Sequence, residues 1–129
     1  MAKYYTDGSS TIGIKSAYCV TDEKGKVIEL VNTKNEVDET QERIIKISEF
    51  TNNEEEYRGV IAALKLCKEG DEVLTDSQLV VNQINGLFKV KAKHLLAYKN
   101  EAKELADNKQ VLIRWIPRNE NLAGQVFEK

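Results

Sequence analysis

Two hydrophobic periods follow one another along this chain, and their order limits the folds open to it. Residues 12–32, IGIKSAYCVTDEKGKVIELVN, hold two apolar, β-branched runs around Glu-Lys-Gly. That is the pattern of an antiparallel hairpin. KYYTDGSS, just before it, reads as a strand ending in an Asp-Gly-Ser turn. Residues 33–43 are polar and read as a loop or a strand extension, and IIKISEF as a further strand piece. The period then changes. TNNEEEYRGVIAALKLC puts Val60, Ile61, Leu64 and Cys67 on one helical stripe, in a helix ending near Gly70. DEVLTDSQ reads as a strand running into a helix that stops at Asn85-Gly86. AKHLLAYKNEAKELADN is an amphipathic helix, VLIRWIP a last strand, and ENLAGQVFEK a short final helix. A hairpin start followed by alternating strands and helices predicts an α/β fold, a mixed sheet with helices packed on it.

A chain of 129 residues is long enough for one domain with a real core, and none of the patterns suggests a linker, so a single domain over 1–129 is expected. With 41% hydrophobic and 31% charged residues, the composition is that of an ordinary globular protein. No apolar run reaches membrane-span length, and Met1 leads into AKYYTDGSS without a signal-peptide profile, so a cytoplasmic protein off the membrane is expected. Two cysteines, Cys19 and Cys67, lie in apolar patterns and read as buried thiols. With His94 the only histidine and no CxxC, a zinc site is not expected. The formal net charge is −2, so any hold on nucleic acid needs a local basic patch. FKVKAKHLLAYKNEAK supplies one in Lys89, Lys91, Lys93, Lys99 and Lys103, unless these only solvate a helix face.

Three acids stand out by position. Asp7 closes the first strand, Glu56 lies in the first turns of the first long helix, and Asp76 sits at the end of the fourth strand, in VLTDSQ. Sites in α/β sheets form where strand ends meet helix starts. Carboxylates without His or Cys suit a hard cation, Mg²⁺ or Mn²⁺. Each acid also has a purely local explanation. Asp7 can be a turn residue, Glu56 can complete a capping box from Asn53, Glu54 one from Thr51, and Asp76 can cap the helix after it.

The words YTDGSS, TNNEEEYRGVIAAL, LTDSQLVVNQING and WIPRNENLAG, in this order and spacing, resemble those of the type 1 ribonuclease H family over nearly the whole chain. The resemblance implies a five-stranded mixed sheet flanked by helices and Mg²⁺-dependent cleavage of the RNA strand of an RNA–DNA hybrid; a monomer is expected. It makes Asp7 the acid bridging two metal ions and Glu56 and Asp76 its partners. Glu54 and Glu55 fall where the family varies and are expected to be helix-start charges. Asn52, Asn53 and Gln78 match the amides that touch the hybrid's minor groove, and Ser9 and Ser10 are implied contacts to the RNA strand. Arg118, in the loop before the last helix, is placed to contact phosphate or to promote product release, unless it is only a surface arginine.

One departure is plain. The family places a fourth acid after Asn-x-x-Ala, where this chain has Gly124. Glu128 lies four residues on, on about the same helical face, and is the candidate to replace it as a catalytic carboxylate, unless it is only a frayed terminal residue. The basic stretch 89–93 is shorter than the basic handle of some relatives, His94 is expected on a helix surface, and Trp115 in the core. Two other functions compete with hybrid cleavage: a nucleic-acid-binding domain weakened by loss of the fourth acid, and another nuclease of the superfamily. The intact acids oppose the first and the minor-groove amides the second.

Overall fold

The computed structural model describes residues 1–11, 15–33, 35–38, 43–46 and 50–128, and the side chains of 1–10, 16–32 and 50–128. A five-stranded sheet in the order β3-β2-β1-β6-β7 forms its frame. β1 (Lys3–Thr11), β2 (Lys15–Thr21) and β3 (Val27–Thr33) pair antiparallel, around the Glu-Lys-Gly turn the sequence predicts. Gly25 takes φ +81 there, a left-handed conformation that glycine adopts without steric cost. β6 (Glu72–Thr75) and β7 (Leu112–Trp115) extend the sheet in parallel on the other side of β1. The mixed sheet is therefore as expected.

Residues 33–50 differ in detail. β4 (Asn35–Asp38) and β5 (Arg43–Lys46) pair with each other as a separate antiparallel hairpin, with Asn35 opposite Lys46. The polar segment is thus partly strand, and IIKISEF contributes its first residues to β5; residues 39–42 and 47–49 lie outside the described residues.

α1 (Asn52–Leu66) starts from a capping box. Thr51 Oγ1 accepts from the Glu54 amide and Glu54 Oε1 from the Thr51 amide, both at 3.2 Å. Its buried stripe includes Tyr57, Val60, Ile61 and Leu64. The helix ends at Leu66, a turn earlier than Gly70. Its last carbonyls, on Leu64, Lys65 and Cys67, accept from Lys109 Nζ at 2.9–3.1 Å, which supplies the partners a helix end lacks. Gly70, at φ +84, lies in the turn into β6 instead. α2 (Gln78–Ile84) and α3 (Lys93–Lys109) follow, and α3 buries Leu95, Ala102 and Ala106. α3 packs on α1, and α1 on β1 and β2, so that Tyr18, Val20, Val60, Leu64, Val73, Val80 and Ile113 share one core. A short 3₁₀ turn (Arg118–Glu120) leads into α4 (Leu122–Phe127), which rests on β1 and β2. Among the described residues, no helix is long and apolar enough to cross a membrane.

Two expectations fail here. β1 does not turn after Asp7. It continues through Gly8 to Thr11 because β2 pairs with it as far as Thr11 opposite Lys15. Trp115 is not a core residue: it is 43% exposed at the end of edge strand β7, and its indole Nε1 donates to the Asp76 carbonyl at 3.1 Å. A polar N–H on a large ring suits a rim where one end meets a partner and the other stays wet.

Candidate active site

The parallel ladder between β1 and β6 ends at Thr6 opposite Thr75. Asp7 is the next residue of β1 and Asp76 the residue just after β6, so the sheet delivers two carboxylates side by side at the end of the ladder. α1 brings the third. Gly8 makes that possible, because a Cβ on it would collide with the backbone of Glu55 and Glu56. Its amide donates to Glu56 Oε1. Asp7, Glu56 and Asp76 each offer an oxygen, and these lie within 4.8 Å of one another.

The local explanations for the three acids do not hold in this geometry. Asp7 is mid-strand rather than in a turn. The capping box is Thr51 with Glu54, and Glu56 takes no part in it. Ser77 caps α2, accepting from the Val80 amide at 3.2 Å, so that Asp76 is not the cap.

Asp7 and Glu56 are buried, and Asp76 is partly exposed. Burial, and then the charge of Asp76, raises Asp7 above the usual carboxylate range. Burial, followed by the charge of Asp7, raises Glu56 well above it. Three crowded carboxylates in a low-dielectric place repel one another, and a divalent cation between them is the natural relief. An all-oxygen donor set fits Mg²⁺ or Mn²⁺.

Asn121, which the sequence reading passed over, organises the site. It is fully buried. Its Nδ2 donates to the Thr6 carbonyl at 2.9 Å and to Asp76 Oδ2 at 3.1 Å, while its Oδ1 accepts from the Ala123 amide and so caps α4. With Trp115 on the Asp76 carbonyl, that residue is held through both main chain and side chain. The signal was present: Asn before Leu-Ala-Gly at the start of a short helix is a helix-cap pattern.

The remaining residues fall around the triad. Ser9 and Ser10 continue β1, and the Ser10 amide donates to Asn52 Oδ1 at 2.5 Å. Asn52, Asn53 and Gln78 are exposed at the starts of α1 and α2. Arg118 Nη1 stands 3.8 Å from Asp76 Oδ2, and its Nε 3.6 Å from Glu128 Oε1. Glu128 is thus placed beside Arg118 at the rim, with 58% of its side chain exposed, and outside the triad. Gly124 is directly against the triad. A Cβ there would lie 3.5 Å from Asp7 Oδ2 and 3.8 Å from Asp76 Oδ2.

Glu55 corrects the expectation of a helix-start surface charge. It is fully buried, with Oε2 accepting from Ser16 Oγ at 2.8 Å and Oε1 from Arg58 Nη1 at 2.6 Å. Of three consecutive glutamates one caps the helix and two are buried. Lys89, Lys91, Lys93 and His94 are exposed, beside the exposed Leu87 and Phe88.

A family model described as reverse transcriptase-like matches residues 14–127. Among solved structures, the N-terminal RNase H domain of Rv2228c from Mycobacterium tuberculosis is similar at 30% identity and a TM-score of 0.69, covering 98% of this chain and 93% of that one. LC11-RNase H1 in complex with RNA/DNA hybrid is 27% identical with a TM-score of 0.64, over 94% and 88% of the two chains. RNase H1 of the halophilic archaeon Halobacterium salinarum NRC-1, at 24% identity and a TM-score of 0.69 over 97% and 92%, shares the fold. Among curated proteins, the bifunctional protein Rv2228c of M. tuberculosis is 42% identical over 80 residues, which is 58% of this chain. The match takes in 22% of that longer protein.

Proposed function

The chain belongs to the reverse transcriptase-like family and has the ribonuclease H-like fold, and on that premise we propose that it is a nuclease hydrolysing the RNA strand of RNA–DNA hybrids. The observation that carries this reading is the meeting of Asp7, Glu56 and Asp76 at one end of the parallel strands. These three residues would hold Mg²⁺ or Mn²⁺. Two such ions, when bound, supply an activated water and charge stabilisation at the leaving oxygen of a phosphodiester.

The chain's own residues prepare that chemistry. Asp7, on β1 beside Glu56 of α1 and Asp76 after β6, would be one of the residues holding the cation. Gly8 fixes the Glu56 carboxylate, while Asn121 and Trp115 fix Asp76, so the acids are oriented before any substrate arrives. Asn52, Asn53 and Gln78 would meet the wide minor groove of a hybrid, which displays 2′-hydroxyls to polar side chains, with Ser9 and Ser10 toward the RNA strand. Arg118 would meet phosphate. Glu128, held on Arg118, would act beside the triad in place of a carboxylate at 124.

The two buried free cysteines, Cys19 and Cys67, fit a reducing compartment such as the cytoplasm.

The test is incubation with labelled RNA–DNA hybrid, double-stranded RNA or double-stranded DNA, each with Mg²⁺, Mn²⁺ or chelator. The expected result is cation-dependent cutting of the RNA strand of the hybrid alone. Gly124 favours a second reading, a hybrid-binding domain with weakened catalysis. Tight binding of the hybrid without cutting under every cation would select it.

A further inference from the structure

We propose that Glu55 is a positioning residue that sets the first turn of α1, and through it the metal-binding and groove-facing groups of the site. The inference rests on the function proposed above. A fully buried carboxylate with two polar partners is costly to place and needs a reason.

Its partners show what it joins. Ser16 belongs to β2, and its Oγ donates to Glu55 while accepting from the Phe50 amide at 3.0 Å. Arg58 lies one turn on in α1. Its guanidinium stacks 4.0 Å from the centre of the Phe50 ring and 5.2 Å from that of Tyr18. Glu55 thereby ties together the segment entering α1, the first two turns of the helix and the start of β2.

The neighbouring face of the same turn carries the site. Asn52 accepts from the Ser10 amide and Glu56 from the Gly8 amide, both on β1. Ser16, which holds Glu55, is the register partner of Ser10. The helix terminus is thus fixed to two neighbouring strands by alternating residues: Asn52 and Glu56 to β1, Glu55 to β2. Gly8 leaves no slack beneath it, because the helix backbone sits where a Cβ would be. Releasing the β2 tether frees the turn to shift relative to Asp7. Glu56 and the groove-facing Asn52 and Asn53 then move together. Glu55 touches neither metal nor substrate in this scheme; it acts through the helix.

The experiment compares wild type with Glu55→Met, which keeps the bulk and removes both polar tethers, and with Glu55→Gln, which keeps the hydrogen bond from Ser16 but loses the ion pair to Arg58. Three quantities are read: Mn²⁺ affinity by calorimetry without substrate, KM for hybrid, and melting temperature. All binding and kinetics are taken where each variant is folded.

A merely structural role lowers the melting temperature and leaves the folded fraction with normal Mn²⁺ affinity and KM. The positioning role predicts Mn²⁺ binding about tenfold weaker in Glu55→Met, in the range seen when groups behind metal ligands are removed. KM rises with it, and Glu55→Gln falls between. Unchanged Mn²⁺ affinity and KM in Glu55→Met overturn the proposal; if that variant does not fold, the same result in Glu55→Gln does. Wild type that binds Mn²⁺ but leaves every hybrid intact overturns the cleavage reading alone, and the Mn²⁺ affinities still decide Glu55. Wild type that binds no Mn²⁺ overturns both.

Discussion

The amide of Gly8 donates to the Glu56 carboxylate, and the space above Gly8 is filled by the backbone of Glu55 and Glu56. One glycine therefore sets both the distance of α1 from β1 and the aim of a site acid. Gly8→Ala is expected to push α1 off the strand. Overpacking of this kind costs about 1–3 kcal/mol. Cleavage should fall further than the loss of stability explains, since Glu56 moves away from Asp7. Melting and hybrid cleavage measured on the same preparation check this; a variant with wild-type activity would show that the close approach is unnecessary.

Asp7→Asn should remove cleavage while raising thermal stability in chelator. Asp7 is buried beside the charge of Asp76, and an amide there ends the repulsion and the cost of burying a charge. The same amide is a poorer ligand for a hard cation. An active variant would take Asp7 out of the mechanism, and a less stable one would contradict the electrostatic account.

Glu54 and Glu56 should separate cleanly. Glu54→Gln can still accept from the Thr51 amide, so the capping box survives and the cost should stay near a few tenths of a kcal/mol. Glu56→Gln should leave the melting temperature close to wild type or above it and abolish cleavage. Equal losses of activity in both would mean that the glutamates act only as charge at a helix end.

How much of this was legible beforehand depended on whether the cause was local. The hairpin around Glu-Lys-Gly, the α1 stripe and the Thr51–Glu54 box are set by neighbouring residues, and the sequence displays them. Asp7 stands out in the sequence but reads as a turn residue, because Asp-Gly-Ser carries a turn composition; the glycine is there for a helix far along the chain. Glu55 looked like surface charge because its partners, Ser16 and Arg58, meet it only after β2 has paired and α1 has docked. Trp115 looked like core because an aromatic residue in an apolar run usually is; only the sheet order makes β7 an edge. Asn121 carried a readable cap signal, but its bond to Asp76 exists only in three dimensions.

Stability should depend on pH in a specific way in the presence of chelator. Glu56 and Asp7 both have folded values raised above their unfolded ones. The folded state therefore binds more protons than the unfolded chain between the ordinary carboxylate value, about 4, and the raised values. Across that window stability falls as pH rises. This is the reverse of the usual salt-bridged carboxylate. Saturating Mg²⁺ should abolish the fall, because the cation then takes the place of the proton. Melting curves from pH 4 upward, with chelator and with Mg²⁺, test it against the other carboxylates. Asp71 is one of these, and it is held low by amides of Lys68 and Ala2, so it shifts stability the opposite way. Asp7→Asn supplies the control, since it should flatten the chelator curve.

The last prediction concerns position 124. A Cβ at Gly124 meets Asp7 and Asp76 oxygens at 3.5 and 3.8 Å, ordinary contact distances, so Gly124→Asp has room and would bring a fourth carboxylate to the cluster. In chelator the added charge should lower the melting temperature, even though aspartate suits a helix slightly better than glycine. With Mg²⁺ the order should reverse, and the concentration for half-maximal cleavage should fall. Glu128→Gln should raise that concentration. The reason lies in Arg118, whose Nε is 3.6 Å from Glu128 and whose Nη1 is 3.8 Å from Asp76. Without Glu128 the guanidinium leans further onto Asp76 and competes with the cation. The double variant Glu128→Gln with Arg118→Ala separates this from direct ligation by Glu128. If Glu128 is itself a ligand, the Mg²⁺ requirement stays high in the double variant; if it acts through Arg118, the requirement returns to that of Arg118→Ala alone. A Glu128→Gln protein with wild-type Mg²⁺ dependence would leave three acids to hold the metal.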